Sequence, residues 1–426
     1  MNYLICGIIL FLGGCLPQEI PRVPTGQYPS EQLPTSSPRN TSVMPPTIPT
    51  VAPTPAVPTI STTYTNEMAP MVKNITKSNE VIEISHKEIS DIDNRYNIMI
   101  WGRAGANQTV RITKSKFQNS NFVILIGNVD NVEIIGNYFK DVGTAIRINN
   151  ARNITVRYNK VKNFGKFKLF SGAMGWSSNF CIVAESPQLS SLDISYNLVD
   201  RLHASCGGDG RNVKQNVFTE DYINIYKSQM DSGNKGHIAH NYIIGSEQAC
   251  ESTSGGGIII DQLGSGFIIE NNVLYNTGQY LIGAASSSNI EIRNNLGFMT
   301  FAHDFYLRPH NHSSSSRTGP EVTYSIGVSQ WGEGKTHNVH VVNNRVFVEV
   351  ATADGSGAKR NTSHVWFGDS VKSEVHATGN NFPIVTWGYD SSLFNNPTQN
   401  EVLDTLLGQE REELFKVHGQ GANFFQ

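Results

Sequence analysis

Apolar and polar residues alternate, then run into an Asn, one further residue and another apolar one, over residues 132–139, 154–161, 192–199, 237–243, 267–273 and 290–296. A period of two predicts half-buried strands. The Asn at the end of each run predicts a turn, because Asn accepts a left-handed backbone and bonds nearby main chain. The recurring positions are Asn137, Asn159, Asn197, Asn241, Asn271, Asn294, Asn344 and Asn380, with Ser115 standing where an Asn is expected one unit earlier. Ser115 to Asn137 and Asn137 to Asn159 are each 22 residues apart.

Between these runs lies a second family of short strands, with inward apolar residues at the first and third positions. They begin at Ile98, Val123, Ile146, Ile182, Ile223, Ile258, Ile282, Phe305, Ile326 and Val365. Two short strands per coil of 21 to 25 residues, lengthened by insertions, predict a solenoid of about ten coils in which each rung pairs only with its neighbours. A six-residue apolar period and a Leu ladder are both absent, which excludes a left-handed hexapeptide helix and leucine-rich repeats.

Over roughly residues 98–382 the chain resembles the right-handed parallel β-helix (pectin lyase-like) superfamily, which holds pectate lyases, polygalacturonases, alginate-modifying enzymes and phage tailspikes. The resemblance implies an all-β solenoid with stacked Asn side chains. Glu220-Asp221-Tyr222-Ile223-Asn224-Ile225-Tyr226-Lys227-Ser228, with Gly255-Gly256-Gly257 and Gly278-Gln279-Tyr280 beyond, is similar to a pattern recurrent among exported bacterial lipoproteins of this fold. The Asn-Thr-Asp, Asp-Asp and Gly-His-Gly set of polygalacturonases is missing, as are the Arg-Xaa-Pro-Xaa-Xaa-Arg of pectate lyases and the Asp-Pro-His of mannuronan epimerases. The resemblance therefore implies fold and export and leaves the activity to the site.

Composition sets the boundaries. Of the 18 prolines, 13 fall between Pro17 and Pro70, so residues 16–73 predict a disordered Pro/Thr/Ser-rich tether. Residues 3–12 form a short apolar segment, and Leu12-Gly13-Gly14-Cys15 resembles the lipobox of bacterial lipoproteins. Residues 1–15 then form the signal peptide, with Cys15 as the lipidated residue. A signal without the lipid is the alternative, since Met1-Asn2 carries no Lys or Arg. Either way the protein is exported, to the bacterial envelope or beyond. Residues 74–97 are expected to cap the solenoid of residues 98–397. Thr398 with Glu401 suggests a capping box that opens a C-terminal helix in residues 398–426. No later apolar run approaches the roughly 20 residues of a membrane helix, which excludes a polytopic protein and leaves the lipid as the membrane contact. A net charge of −3 argues against a nucleic-acid partner.

Insertions over residues 160–180, 199–222 and 242–257 cluster on the middle coils, where stacked loops form a binding face. The outward fourth-position column there reads Trp101, Ile126, Asn149, Glu185, Tyr226, Asp261, Ala285, Arg308 and Ser329, and the second-position column Arg147, Val183, Asn224, Ile259, Gly283 and Tyr306. Glu185 and Asp261, two rungs apart, stand about 9.6 Å from each other by strand spacing, near the upper limit for an inverting carboxylate pair. Tyr226 and Lys227 between them suit a β-elimination on a uronate equally well. A solvated column of unrelated polar residues is the bland alternative. Lys166, Lys168 and Trp176 in the first insertion, with Arg147, Asp221, Asn224, Tyr306 and Arg308, are candidate binders of an acidic sugar polymer.

Cys206 and Cys250 lie in inserted loops of successive coils, and export permits a disulfide between them. His237, His240, His310 and His312 lack the ligand set of a zinc motif. No metal site is assigned; Ca²⁺ on Glu185, Asp221 or Asp261 is the one ion that the carboxylates would suit. The expected function is an exported, membrane-tethered protein acting on an acidic polysaccharide as lyase or glycoside hydrolase. A non-catalytic glycan-binding, adhesion or envelope module is the alternative.

Overall fold

The computed structural model describes residues 65–67, 71–90, 96–164, 178–201, 218–245, 255–275, 277–278, 280–300, 323–349, 362–380 and 384–385. The chain divides into Met1–Pro53, outside the described residues, and Thr54–Gln426, to which all of them belong. Cys15, the loop with Lys166, Lys168 and Trp176, Cys206, Cys250, Tyr306, Arg308 and residues 398–426 also lie outside the described residues.

The described part is a right-handed parallel β-helix. Each coil contributes three strands, one more than the two expected, because the residues just after each ladder Asn form a short strand of their own. In sheet 1, Met71, Ile98, Ile124, Ile146, Ile182, Ile223, Ile258, Ile282, Ile326 and Val365 follow one another as register partners. In sheet 2 the line runs from Ile82 through Val110, Val132, Ile154 and Leu192. In sheet 3 it runs from Lys116 through Tyr138, Lys160, Leu198, Tyr242, Val273 and Leu296 to Arg345. One strand, Lys116–Ile135, passes through all three sheets. It turns its corners at single left-handed residues, Asn119 and Asn128. Asn and Asp visit that region at least cost among residues with a Cβ, which is why they crowd the corners.

The core follows from the period of two. Ile182 and Ala184, Ile223 and Ile225, and Ile258 and Ile260 are buried on successive rungs of sheet 1. Phe117 and Phe139 stack in sheet 3 with ring centroids 5.1 Å apart. The cysteine among the described residues, Cys181, is free and buried in this core. Burial pushes its thiol up, with the neighbouring Arg201 charge pulling against it.

A buried Asn ladder fixes the corner between sheets 2 and 3. Asn159 donates Nδ2 to Ile134 O at 2.8 Å and to Asn197 Oδ1 at 3.0 Å, while its own Oδ1 accepts from the Asn137 N–H and Nδ2, each at 3.0 Å. The pattern repeats through Asn197, Asn241, Asn272, Asn295, Asn344 and Asn380. Ser115 begins it by donating its N–H to Asn137 Oδ1 at 3.0 Å.

Four expectations about register are corrected. In the Asn-Asn pairs the ladder uses Asn272 and Asn295, not Asn271 and Asn294. The first Asn of each pair takes the left-handed corner instead. The first inward residue on the second predicted rung is Ile124 rather than Val123, so Gly127, not Ile126, enters the outward column; a continuous apolar run hides the phase there. No rung stands where the coil expected to begin at Phe305, itself outside the described residues, would have to fit, for Ile282 pairs directly with Ile326 and Leu296 with Arg345. Apolar alternation without a ladder Asn does not specify a coil. Pairing also begins before residue 98, since Thr65–Glu67 joins Lys87–Ser90 and Met71–Asn74 joins Tyr96–Trp101.

Candidate functional site

The outward face of sheet 1 carries the candidate residues Arg147, Glu185, Tyr226 and Asp261. Register puts Asn149, Glu185, Tyr226, Asp261 and Ala285 in one column on consecutive rungs. Arg147, Val183, Asn224, Ile259 and Gly283 form the column beside it. Each of these side chains points out because its neighbours in the strand point into the coil. Arg147 reaches Glu185 at 3.7 Å and Asn149 Oδ1 at 3.4 Å, and it also bonds the Tyr96 phenol.

The electrostatics divide the column. Burial lifts the Asp261 carboxyl to about 6, the Glu220 charge adds to the rise, and the Gln262 N–H and Lys227 oppose it. Tyr226 is also raised, first by burial and then by the charges of Asp261 and Glu185, against the pull of Lys227, whose Nζ stands 5.4 Å from the Tyr226 ring centroid. Lys227 is raised as well, chiefly by its 2.9 Å bond to Glu333.

A buried polar cluster adjoins the second column through Asn224. Asp221, 3% exposed, accepts from the Tyr280 hydroxyl at 2.5 Å, from Asn224 Nδ2 at 2.7 Å and from the Gly256 N–H at 3.0 Å. Burial and the Glu220 charge lift its carboxyl to about 8, with those three bonds opposing them. Asn224 is 5% exposed, and its Oδ1 has no hydrogen-bond partner.

No protein-family model matches the chain, and no curated protein matches it. Among solved structures, the crystal structure of the Dettilon tailspike protein aligns at 12% identity and a TM-score of 0.32, covering 73% of this chain. The match spans 63% of that protein's length, short of two thirds.

Of the residues singled out in the sequence, the fold brings Arg147, Glu185, Tyr226, Lys227 and Asp261 to one outward face. Asn224 joins the adjoining column. Asp221 is buried and bonded to Asn224, as an anchor rather than an open binder. Among the described residues no group of three or more His, Cys, Asp or Glu side chains converges to hold a metal ion. Sequence reasoning missed Tyr96, Glu220, Tyr280, Trp331 and Glu333. Glu220 and Tyr280 fall in the segments that carry the family resemblance, which gave them no role, and the connection that holds Trp331 and Glu333 is no longer than the one between Trp101 and Thr109.

Proposed function

We propose that the outward face of sheet 1 binds a polysaccharide and hydrolyses a glycosidic bond with inversion. Asp261 is the proton donor to the leaving oxygen, and Glu185 is the base that activates water. The observation that carries this proposal is the column itself: two carboxylate residues two rungs apart, their backbones about 9.6 Å from each other by strand spacing, one of the carboxyls lifted to about 6 and so able to hold a proton in mildly acidic solution. β-Elimination by Tyr226 or Lys227 is less well supported, since a base needs a lowered proton affinity and both groups are raised. Arg147 and Lys227 would meet the carboxylates of an acidic polymer.

The pectin lyase-like superfamily, export through residues 1–15, a lipid on Cys15 and a Cys206–Cys250 disulfide belong to the same proposal. Together they describe an enzyme held off a membrane by the Pro-rich tether.

The test is product release from neutral and uronic-acid polysaccharides, read both as reducing ends and as unsaturated sugar. Reducing ends without unsaturated product are expected. Glu185→Gln and Asp261→Asn should each slow turnover by about 100-fold or more. Activity should fall as pH rises through about 6, where Asp261 loses its proton. Full turnover in both variants would sink the assignment. Saturable binding without product would favour the glycan-binding module instead.

A further inference from the structure

Residues 330–336 connect Thr323–Ser329 of sheet 1 to His337–Val342 of sheet 2. Their sequence, Gln-Trp-Gly-Glu-Gly-Lys-Thr, places two glycines around one carboxylate, and both glycines are left-handed, Gly332 at φ 80° and Gly334 at φ 102°. That backbone doubles the segment back along the solenoid. A Cβ on Gly332 would sit 2.7 Å from Gln262 Cδ, so the segment lies directly against the corner that follows Asp261. The Glu333 carbonyl accepts from the Leu263 N–H at 3.3 Å, and the Glu333 carboxylate reaches Lys227 at 2.9 Å. The segment is therefore a strap from the Ser329 rung, past the Asp261 rung, to the Tyr226 rung.

The strap is tied down throughout. The Trp331 N–H donates to Ser286 Oγ at 2.7 Å, and the same hydroxyl donates to the Trp331 carbonyl at 2.6 Å. Gln330 Nε2 donates to Ser286 Oγ at 2.9 Å and to the Gly334 carbonyl at 2.6 Å. Thr336 closes the strap, its N–H on Gln330 Oε1 at 2.9 Å and its hydroxyl on the Ser329 carbonyl at 2.6 Å. Yet Trp331, whose main chain these bonds hold, is 57% exposed, and Leu263, bonded through its N–H to Glu333 of the same strap, is 37% exposed. Among the described residues four large hydrophobic side chains are exposed, and this strap and the corner under it carry two of them.

A fixed backbone presenting a bare aromatic ring is a preorganised platform, since the ordering that binding would require is already in place. The groups around it choose the occupant. A pyranose ring has an apolar C–H face and a rim of hydroxyls. Trp331 and Leu263 offer the apolar surface, and Gln262, Glu333 and Lys227 offer the polar edge.

We propose that Trp331, on the strap 330–336, stacks against a pyranose ring of the polysaccharide and forms a sugar subsite at the edge of the Glu185–Asp261 face. The inference deepens the proposed hydrolysis and rests on it for the identity of the polymer. Trp331 is a binding residue here, placed one to two rungs, about 5 to 10 Å along the axis, from Asp261.

The test compares the full chain with Trp331→Ala, Trp331→Phe and Asp261→Asn for binding and turnover on polygalacturonate, alginate, xylan and dextran, with light scattering to follow self-association. Trp331→Ala is expected to weaken binding by about tenfold or more, with the effect on KM rather than kcat and no change in melting temperature. Trp331→Phe should restore most of the loss, and Asp261→Asn should keep the binding while losing turnover. Wild-type affinity in Trp331→Ala would overturn the subsite and leave hydrolysis standing. Trp331-dependent binding without product from any polymer would uphold the subsite and sink hydrolysis. A dimer that Trp331→Ala dissolves would assign the indole to a second copy of the chain and overturn the inference. Neither binding nor a dimer would overturn both.

Discussion

Asn241→Ala is expected to lower the unfolding free energy by about 4 kcal/mol, the largest single loss a polar substitution in this fold should cause. The Asn241 amide donates to Ile194 O at 2.8 Å and to Asn272 Oδ1 at 3.0 Å, and accepts from the Asn197 N–H at 3.1 Å and Nδ2 at 3.0 Å. Alanine strands the Ile194 carbonyl and the Asn197 N–H, both of which face that amide inside the buried ladder. Each buried orphan costs about 1 to 3 kcal/mol, and the half-emptied Asn197 amide adds to that. Urea denaturation measures the loss. Asn234→Ala provides the comparison, since it removes one exposed 2.9 Å side-chain bond to the Ser190 carbonyl and should cost less than about 1 kcal/mol. Equal losses in the two variants would mean that the ladder sets the path of the chain without dominating its stability.

Asp221 should make the protein less stable as pH rises, the reverse of an ordinary salt-bridged carboxylate. Unfolded, its carboxyl titrates near its ordinary value of about 3.9, and folded it is held at about 8. Between those values the native state keeps a proton that the unfolded state has lost. Stability therefore falls with each step upward in pH across that window and levels off above about 8. At roughly 1.4 kcal/mol for each pH unit that separates the folded from the unfolded value, the effect amounts to several kcal/mol. Asp221→Asn has no charge to bury, so its stability curve should lack this slope and should gain on the wild type with each step upward from about pH 4 to about 8. The amide can be accommodated: turning Asn224 about its χ2 axis presents Oδ1, which otherwise has no partner, to the new N–H. Urea midpoints from about pH 5 to 9 decide the matter, and parallel curves for the two proteins would refute the buried-acid account.

Much of the fold is legible because its repeat obeys two local rules. Inward residues come every second position, and the corner between sheets 2 and 3 needs, just after a left-handed residue, a side chain that can bond the main chain of the neighbouring rung. Those rules find Ser115, Asn137, Asn159, Asn197, Asn241, Asn344 and Asn380 correctly. They fail where they give two answers. At 271–272 and 294–295 either Asn could turn the corner, and at 123–126 an unbroken apolar run conceals which residues face inward. Phe305 shows the opposite error, since alternation alone suggests a rung where no ladder Asn supports it.

Within the candidate site, the common column of Glu185, Tyr226 and Asp261 is legible because it follows from register. Tyr280 and Glu333 are invisible for a different reason. Tyr280 meets Asp221 across 59 residues and Glu333 meets Lys227 across 106, and no periodic rule predicts which corner a strap will fold back upon.

The strap also bears on how the solenoid comes apart. When rungs touch only their neighbours, fraying can begin at an end and travel inward one coil at a time. The bond between Lys227 and Glu333, with Leu263 and Ser286 tied to the same segment, fastens the Tyr226, Asp261, Ala285 and Ser329 rungs together. Those coils should open as one cooperative block, so the amides beneath the candidate site should exchange with solvent together and later than those of the coils toward the C-terminus.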